Sequence, residues 1–136
     1  MILCDAGPLI ALLDKNQAEI GDKCRAALGQ IAAPLITTWP SFNEATYLIR
    51  KIGGKPLQHL LRRFEREGIL ELYPLTRQDL ARIDLLKEQY KNVSIDTADA
   101  SLVVAAEALG ITRIFTVNEK FHLYKISGTT PFEIVP

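Results

Sequence analysis

Cysteine is scarce in this sequence: Cys4 and Cys24 stand 20 residues apart, with no CxxC and no histidine beside either. That excludes a disulfide-stapled secreted fold and a cysteine–histidine zinc site, and the two are expected to be reduced thiols. Long apolar runs are also missing. The longest, Leu9 to Leu13 and Leu102 to Ala106, reach five residues, far short of the ~20 needed to span a bilayer. Met1 leads directly into Ile2-Leu3-Cys4 and Asp5, without the basic start and apolar stretch of an export signal, so the expected location is cytoplasmic. Charge of one sign is absent as well: 16 Lys and Arg balance 16 Asp and Glu. No global positive field holds a polyanion, and any nucleic-acid contact must be locally organised.

What is present is a foldable core. Hydrophobic residues make up 48% of the 136 positions, which matches one domain covering residues 1–136. Ile2 to Cys4, Pro34 to Thr38, Ile69 to Tyr73, Arg113 to Val117 and Phe132 to Val135 read as short strands. Helical spacing marks the stretch opened by Gly7-Pro8, then Asn16 to Gln30, Ser41 to Lys51, Leu57 to Glu67, Thr76 to Tyr90 and Asp96 to Leu109. Gly53-Gly54-Lys55-Pro56 is a sharp break between two of these helices. Short strands alternating with longer helices predict an α/β fold of three layers, α/β/α, around a central parallel sheet. In such sheets ligands bind beyond the carboxyl ends of the strands.

The acidic residues fall at those ends. Asp5 follows the first strand, Glu44 is expected in the first turn of the helix after the second, and Asp96 and Asp99 open the late helix. A spacing of three places Asp96 and Asp99 on one helix face. Clustered carboxylate oxygens suit Mg²⁺ or Mn²⁺, which would relieve their repulsion and stabilise charge on a phosphoryl oxygen. Each acid also has a plainer reading: Ser41 with Glu44 as a capping box, Asp96 as a helix cap with Asp99 in the first turn, Asp5 as an Asx-turn residue.

Other landmarks point elsewhere or nowhere. His59 and His122 lack metal-ligand spacing, and surface or packing roles are expected. No phosphate-binding glycine loop or DxD phosphotransfer motif is present. The one basic concentration holds Arg50, Lys51, Lys55, Arg62, Arg63 and Arg66 against Glu65; it is either a solvated face or a path for a phosphate backbone. Trp39 and Tyr47 could stack a base, although core packing is the stronger expectation for both.

Taken together, Asp5 with Pro8 to Leu13, Glu44, the run Ile95-Asp96-Thr97-Ala98-Asp99-Ala100-Ser101-Leu102 and the segment Ile114 to Asn118 resemble the PIN-domain family, most nearly its VapC-type toxin ribonucleases. The resemblance implies Mg²⁺- or Mn²⁺-dependent endonucleolytic cleavage of RNA, a homodimer and a small antitoxin partner. It makes Asp5 and Asp99 the principal metal ligands, Glu44 a ligand or the orienter of the attacking water, Asp96 an auxiliary acid and Thr116 a support behind them. Asn118 stands where the family usually has a fourth aspartate; its amide oxygen can ligate but brings no charge, and Glu119 is a neighbouring substitute. The alternative implied by that departure is a catalytically weak module that binds RNA or protein.

Overall fold

A computed structural model describes residues 1–136. The chain runs β1 (Ile2–Cys4), α1 (Ala6–Leu13), a 3₁₀ turn, α2 (Ala18–Gln30), β2 (Leu35–Thr38), α3 (Trp39–Arg66), β3 (Leu70–Tyr73) and α4 (Arg77–Gln89). It continues through α5 (Thr97–Leu109), β4 (Arg113–Phe115), a 3₁₀ turn at Glu119–His122, β5 (Lys125–Ile126), β6 (Thr130–Pro131) and β7 (Glu133–Val135). Five strands form one sheet in the order β3-β2-β1-β4-β7, all parallel. The expected α/β/α architecture is therefore the observed one.

The central strands are buried on both faces, as a covered parallel sheet requires. Pleating divides β1: Ile2 and Cys4 join Leu9, Phe42, Ile49 and Leu61 on the side of α1, α2 and α3. Leu3 turns the other way, to Leu86, Leu102, Val103 and Phe121 beneath α4 and α5. Helix α5 is buried along most of its length, its alanines at 98, 100, 105 and 106 included; small side chains let it approach the sheet closely.

The strand order places the site. The chain lays down β1, β2 and β3 in one direction, then returns to put β4 on the other side of β1, where Leu3 pairs with Ile114 and Cys4 with Phe115. Loops leaving β1 and β4 diverge at this reversal and open a crevice at the carboxyl edge. Asp5 and Thr116 are the residues that immediately follow those two strands.

Two local features depart from the sequence expectations. Helix α3 starts at Trp39, two residues ahead of Ser41, with Thr38 at its cap, so Glu44 lies in the second turn and the Ser41–Glu44 capping box does not form. The Ser41 hydroxyl is buried without a partner. The antiparallel pair β5–β6 was also not foreseen, because two-residue strands carry no readable alternation.

The anticipated break in α3 is present at Gly54, whose φ of 68° and ψ of −160° interrupt the helix. That region of backbone space is open almost only to glycine. Gly54→Ala is expected to destabilise the protein by about 1–3 kcal/mol, read as a lower urea midpoint at unchanged slope, whereas an unaltered midpoint would mean the break does not depend on this conformation.

Candidate active site

Four carboxylates line one cleft of about 270 Å³ at the crevice: Asp5, Glu44, Asp96 and Asp99, together with Gly7 and Asn118. They come from the end of β1, the second turn of α3 and the start of α5. Asp5 is the N-cap of α1: its Oδ1 accepts from the Ala6 amide at 2.8 Å, and its Oδ2 accepts from the Thr116 hydroxyl at 2.7 Å. Thr116 is itself held, accepting from the Asn118 amide at 3.0 Å. Asp96 caps α5 by accepting from the Asp99 amide at 2.7 Å. The plain capping roles of Asp5 and Asp96 are thus real, and they coexist with a place on the cleft wall.

Asp99 is 5% exposed, and its Oδ2 accepts from the Tyr124 hydroxyl at 2.9 Å and from Asn118 Nδ2 at 3.1 Å. The sequence reading missed Tyr124. Its ring is fully buried and packed edge-on against Tyr90 and Phe121, so the hydroxyl reaches Asp99 from a fixed position. The available signal was Phe121 and Tyr124, two aromatics three residues apart in the segment after β4. A second pair, Thr38 and Ser101, joins the start of α3 to α5 through buried hydroxyls 2.6 Å apart.

Asn118 does not offer its oxygen to the cleft as expected. Its Oδ1 accepts from the Lys120 amide at 3.0 Å, which fixes the amide with its NH₂ toward Asp99. Glu119, the proposed substitute, faces away: its side chain is 93% exposed, 3.7 Å from His122, and lines a different cavity. Trp39 and Tyr47, expected in the core, are each 59% exposed. The basic stretch is not gathered into one patch. Lys51 lies over the Tyr47 ring at 4.5 Å, Arg63 pairs with Glu67 at 3.1 Å, and Arg62 borders a separate cavity with Trp39; Arg50 and Lys55 are exposed.

No lysine, arginine or histidine forms an ion pair with any of the four acids. Burial therefore raises the pKa of Asp5 above the usual carboxylate range, with Glu44 and Asp96 adding repulsion against the hydrogen bonds from Thr116 and Ala6. Burial and the charges of Asp5 and Asp96 push Asp99 up to about 6. Glu44 is raised by desolvation and then by Asp96 and Asp99. Each acid feels another, although no three stand at ready-made ligating distance. Hard oxygen donors with uncompensated charge fit a divalent cation, and an open donor set suits Mg²⁺, which usually keeps several of its waters.

The raised Asp99 value fixes a sign. An unfolded aspartate titrates near 3.8, so the folded chain binds this proton more tightly, and the stability it contributes is present below about pH 4 and lost as pH rises through about 6. In metal-free protein, Asp99→Asn is expected to flatten the fall in Tm across that window; the same slope in both proteins would remove Asp99 as its source. Tyr124→Phe deletes a bond that lowers the Asp99 pKa, so the Asp99 carboxyl midpoint, followed by NMR, is expected to move upward.

The comparisons with known proteins bear on the fold and the family. The solved structure of VapC20 from Mycobacterium tuberculosis, described as a sarcin-ricin loop cleaving toxin, superposes with a TM-score of 0.85 at 12% identity, covering 96% of this chain and 100% of that one. A toxin-antitoxin complex from Klebsiella pneumoniae gives 0.66 at 18% identity over 98% of this chain and 100% of that one. VapBC2 from Rickettsia felis, bound to a DNA fragment from its promoter, gives 0.68 at 14% identity over 100% of both chains. No curated protein is a significant sequence match. The family model for the PIN domain matches residues 2–126, and with a parallel sheet that gathers acids at its point of reversal, the chain belongs to the PIN-domain family.

Proposed function

We propose that this protein is a divalent-metal-dependent endoribonuclease that hydrolyses RNA phosphodiester bonds, and that it acts as the toxin of a toxin–antitoxin pair. The observation that carries the reading is the cleft itself: four carboxylates from three segments share one wall with no basic side chain to neutralise them. Membership of the PIN-domain family and a fold shared with VapC20 and two toxin-antitoxin structures support the same conclusion, including an antitoxin partner; a homodimer is part of the proposal.

Asp5 and Asp99 are the residues that would hold Mg²⁺ or Mn²⁺, with Asp96 as an auxiliary acid. When bound, such an ion lowers the pKa of water and stabilises negative charge on a phosphoryl oxygen. Thr116 keeps Asp5 oriented through its 2.7 Å bond, and Tyr124 and Asn118 do the same for Asp99. Glu44 makes no hydrogen bond that would tie it down, and its raised pKa suits a carboxylate that orients the attacking water and accepts its proton. Asn118 donates to Asp99 and adds no charge, which favours a single cation.

Purified protein is expected to cleave structured RNA with Mn²⁺ or Mg²⁺, and Asp5→Asn or Asp99→Asn to lower kcat/KM by at least about 10²-fold, the scale of several kcal/mol of lost transition-state stabilisation. Unchanged cleavage in both variants would refute the assignment. A second reading, a catalytically weak module that binds RNA, is favoured by Asn118 in the fourth acidic position and by the absence of a preassembled trio of ligands. Calorimetric titration separates the two: the module takes up no Mn²⁺ at millimolar concentration yet still binds RNA.

A further inference from the structure

Across α3 from the acidic cleft lies a second cavity of about 280 Å³ bordered by Trp39, Phe42, Asn43, Thr46, Arg62 and Glu65. Its walls come from both halves of α3, which the break at Gly54 folds toward one another, and from Leu72 of β3. Trp39 is 59% exposed in the first turn. Phe42 supports it from one side, with ring centroids 6.0 Å apart and planes tilted by 37°. Packing does not explain an aromatic ring braced in this way yet left uncovered.

The polar groups around it are also uncommitted. Arg63 is paired with Glu67, but neither Arg62 nor Glu65 takes part in any ion pair. Glu65 is nonetheless half-buried. An open aromatic face, a free guanidinium, a free carboxylate and an amide surround one small space. An apolar partner helix laid there would strand the charges, whereas an unpaired nucleotide uses all of them: ring on indole, phosphate on guanidinium, and an exocyclic amino group on the carboxylate.

The cavity and the acidic cleft share the first half of α3: Trp39, Asn43 and Thr46 line one flank of the helix, Glu44 and Leu48 the other, with Glu44 about 140° around from Trp39 and about 7.5 Å along the axis. A strand that crosses the start of this helix would meet both. We propose that the Trp39–Arg62 cavity is a subsite for one unpaired base of single-stranded RNA, reached across α3 from the acidic cleft. The idea rests on the nuclease reading for its substrate, but binding and cleavage can be measured apart.

Trp39 is the sole tryptophan, so its emission reports on the subsite alone. The full chain carrying Asp5→Asn, free of metal, is titrated with a short single-stranded RNA of mixed sequence and with the same sequence as a duplex. Single-stranded RNA is expected to quench Trp39, and the duplex to leave it nearly unchanged. Trp39→Ala, followed by anisotropy of labelled RNA, is expected to weaken binding by about tenfold, and Trp39→Phe to retain most of the affinity because a ring remains. Arg62→Ala is expected to reduce the slope of log K against log salt by about one.

Cleavage by the wild-type chain is assayed in parallel with Mn²⁺. Cleavage with silent Trp39 emission and an unchanged KM in Trp39→Ala overturns the subsite and leaves the nuclease standing. Quenching and affinity loss without cleavage by wild type support the subsite and overturn the nuclease reading. Equal quenching by duplex and single strand overturns the requirement for an unpaired base.

Discussion

The pairing of β4 against β1, opposite β2, is the constraint on which the site depends. It forces the chain to leave two neighbouring strands in diverging directions, and the crevice between them receives Asp5 directly and Asp99 from the start of α5. Burying carboxylates there is costly unless their oxygens are bonded. Five donors limit the cost: the amides of Ala6 and Asp99 and the side chains of Thr116, Tyr124 and Asn118. The positive ends of α1 and α5 add a favourable field, since Asp5 and Asp96 cap them and Asp99 lies in the first turn. Without a paired cation these terms do not cancel the desolvation and the added repulsion, and the Asp99 pKa is pushed up to about 6.

Capping and ligation are not rival explanations here. A cap needs one carboxylate oxygen and leaves the other free: Asp96 spends Oδ1 on the Asp99 amide, and its Oδ2 has no partner. The helix start therefore both stabilises α5, by roughly 1 kcal/mol for a good cap, and aims a second oxygen at the cleft. The same economy explains why Asp5 and Asp96, taken singly in the sequence, resemble ordinary helix-start residues.

Much of the architecture was legible because it rests on local rules. Ile2 to Cys4 and Leu35 to Thr38 are apolar and β-branched, Gly110 stops α5 in a left-handed conformation at φ 67°, and Gly54 breaks α3 where two glycines precede a proline. The acids after the strands followed from topology. What could not be read depends on contacts remote in sequence. Tyr124 reaches Asp99 across 25 residues, and nothing local to either predicts the bond. Asn118 was placed at the site, but which end of its amide faces inward is decided by the Lys120 amide behind it. Trp39 is exposed because Phe42, Ala45 and Ile49 set the buried face of α3, and at about 100° per residue Trp39 falls on the flank of that face.

A chain with no net charge faces a specific difficulty in handling a polyanion, and the distribution of its cations bears on how it is met. An arginine or lysine inside the acidic cleft would attract phosphate, but it would also pair with Asp5 or Asp99 and occupy the oxygens a divalent ion needs. None is found there, and Arg50, Lys51, Lys55 and Arg62 instead lie along α3, on both sides of its break. Attraction between charges decays over about 8 Å at physiological salt, so under the proposed function cations one or two helical turns from Glu44 would still act on the backbone of an RNA strand whose scissile group lies among the acids. On that reading, keeping the two signs on neighbouring turns of one helix would separate attraction from chemistry. Gly54 then matters for more than shape, because straightening α3 would carry Arg62 away from Trp39, while Arg50 and Lys51, ahead of the break, would keep the same distance from Glu44.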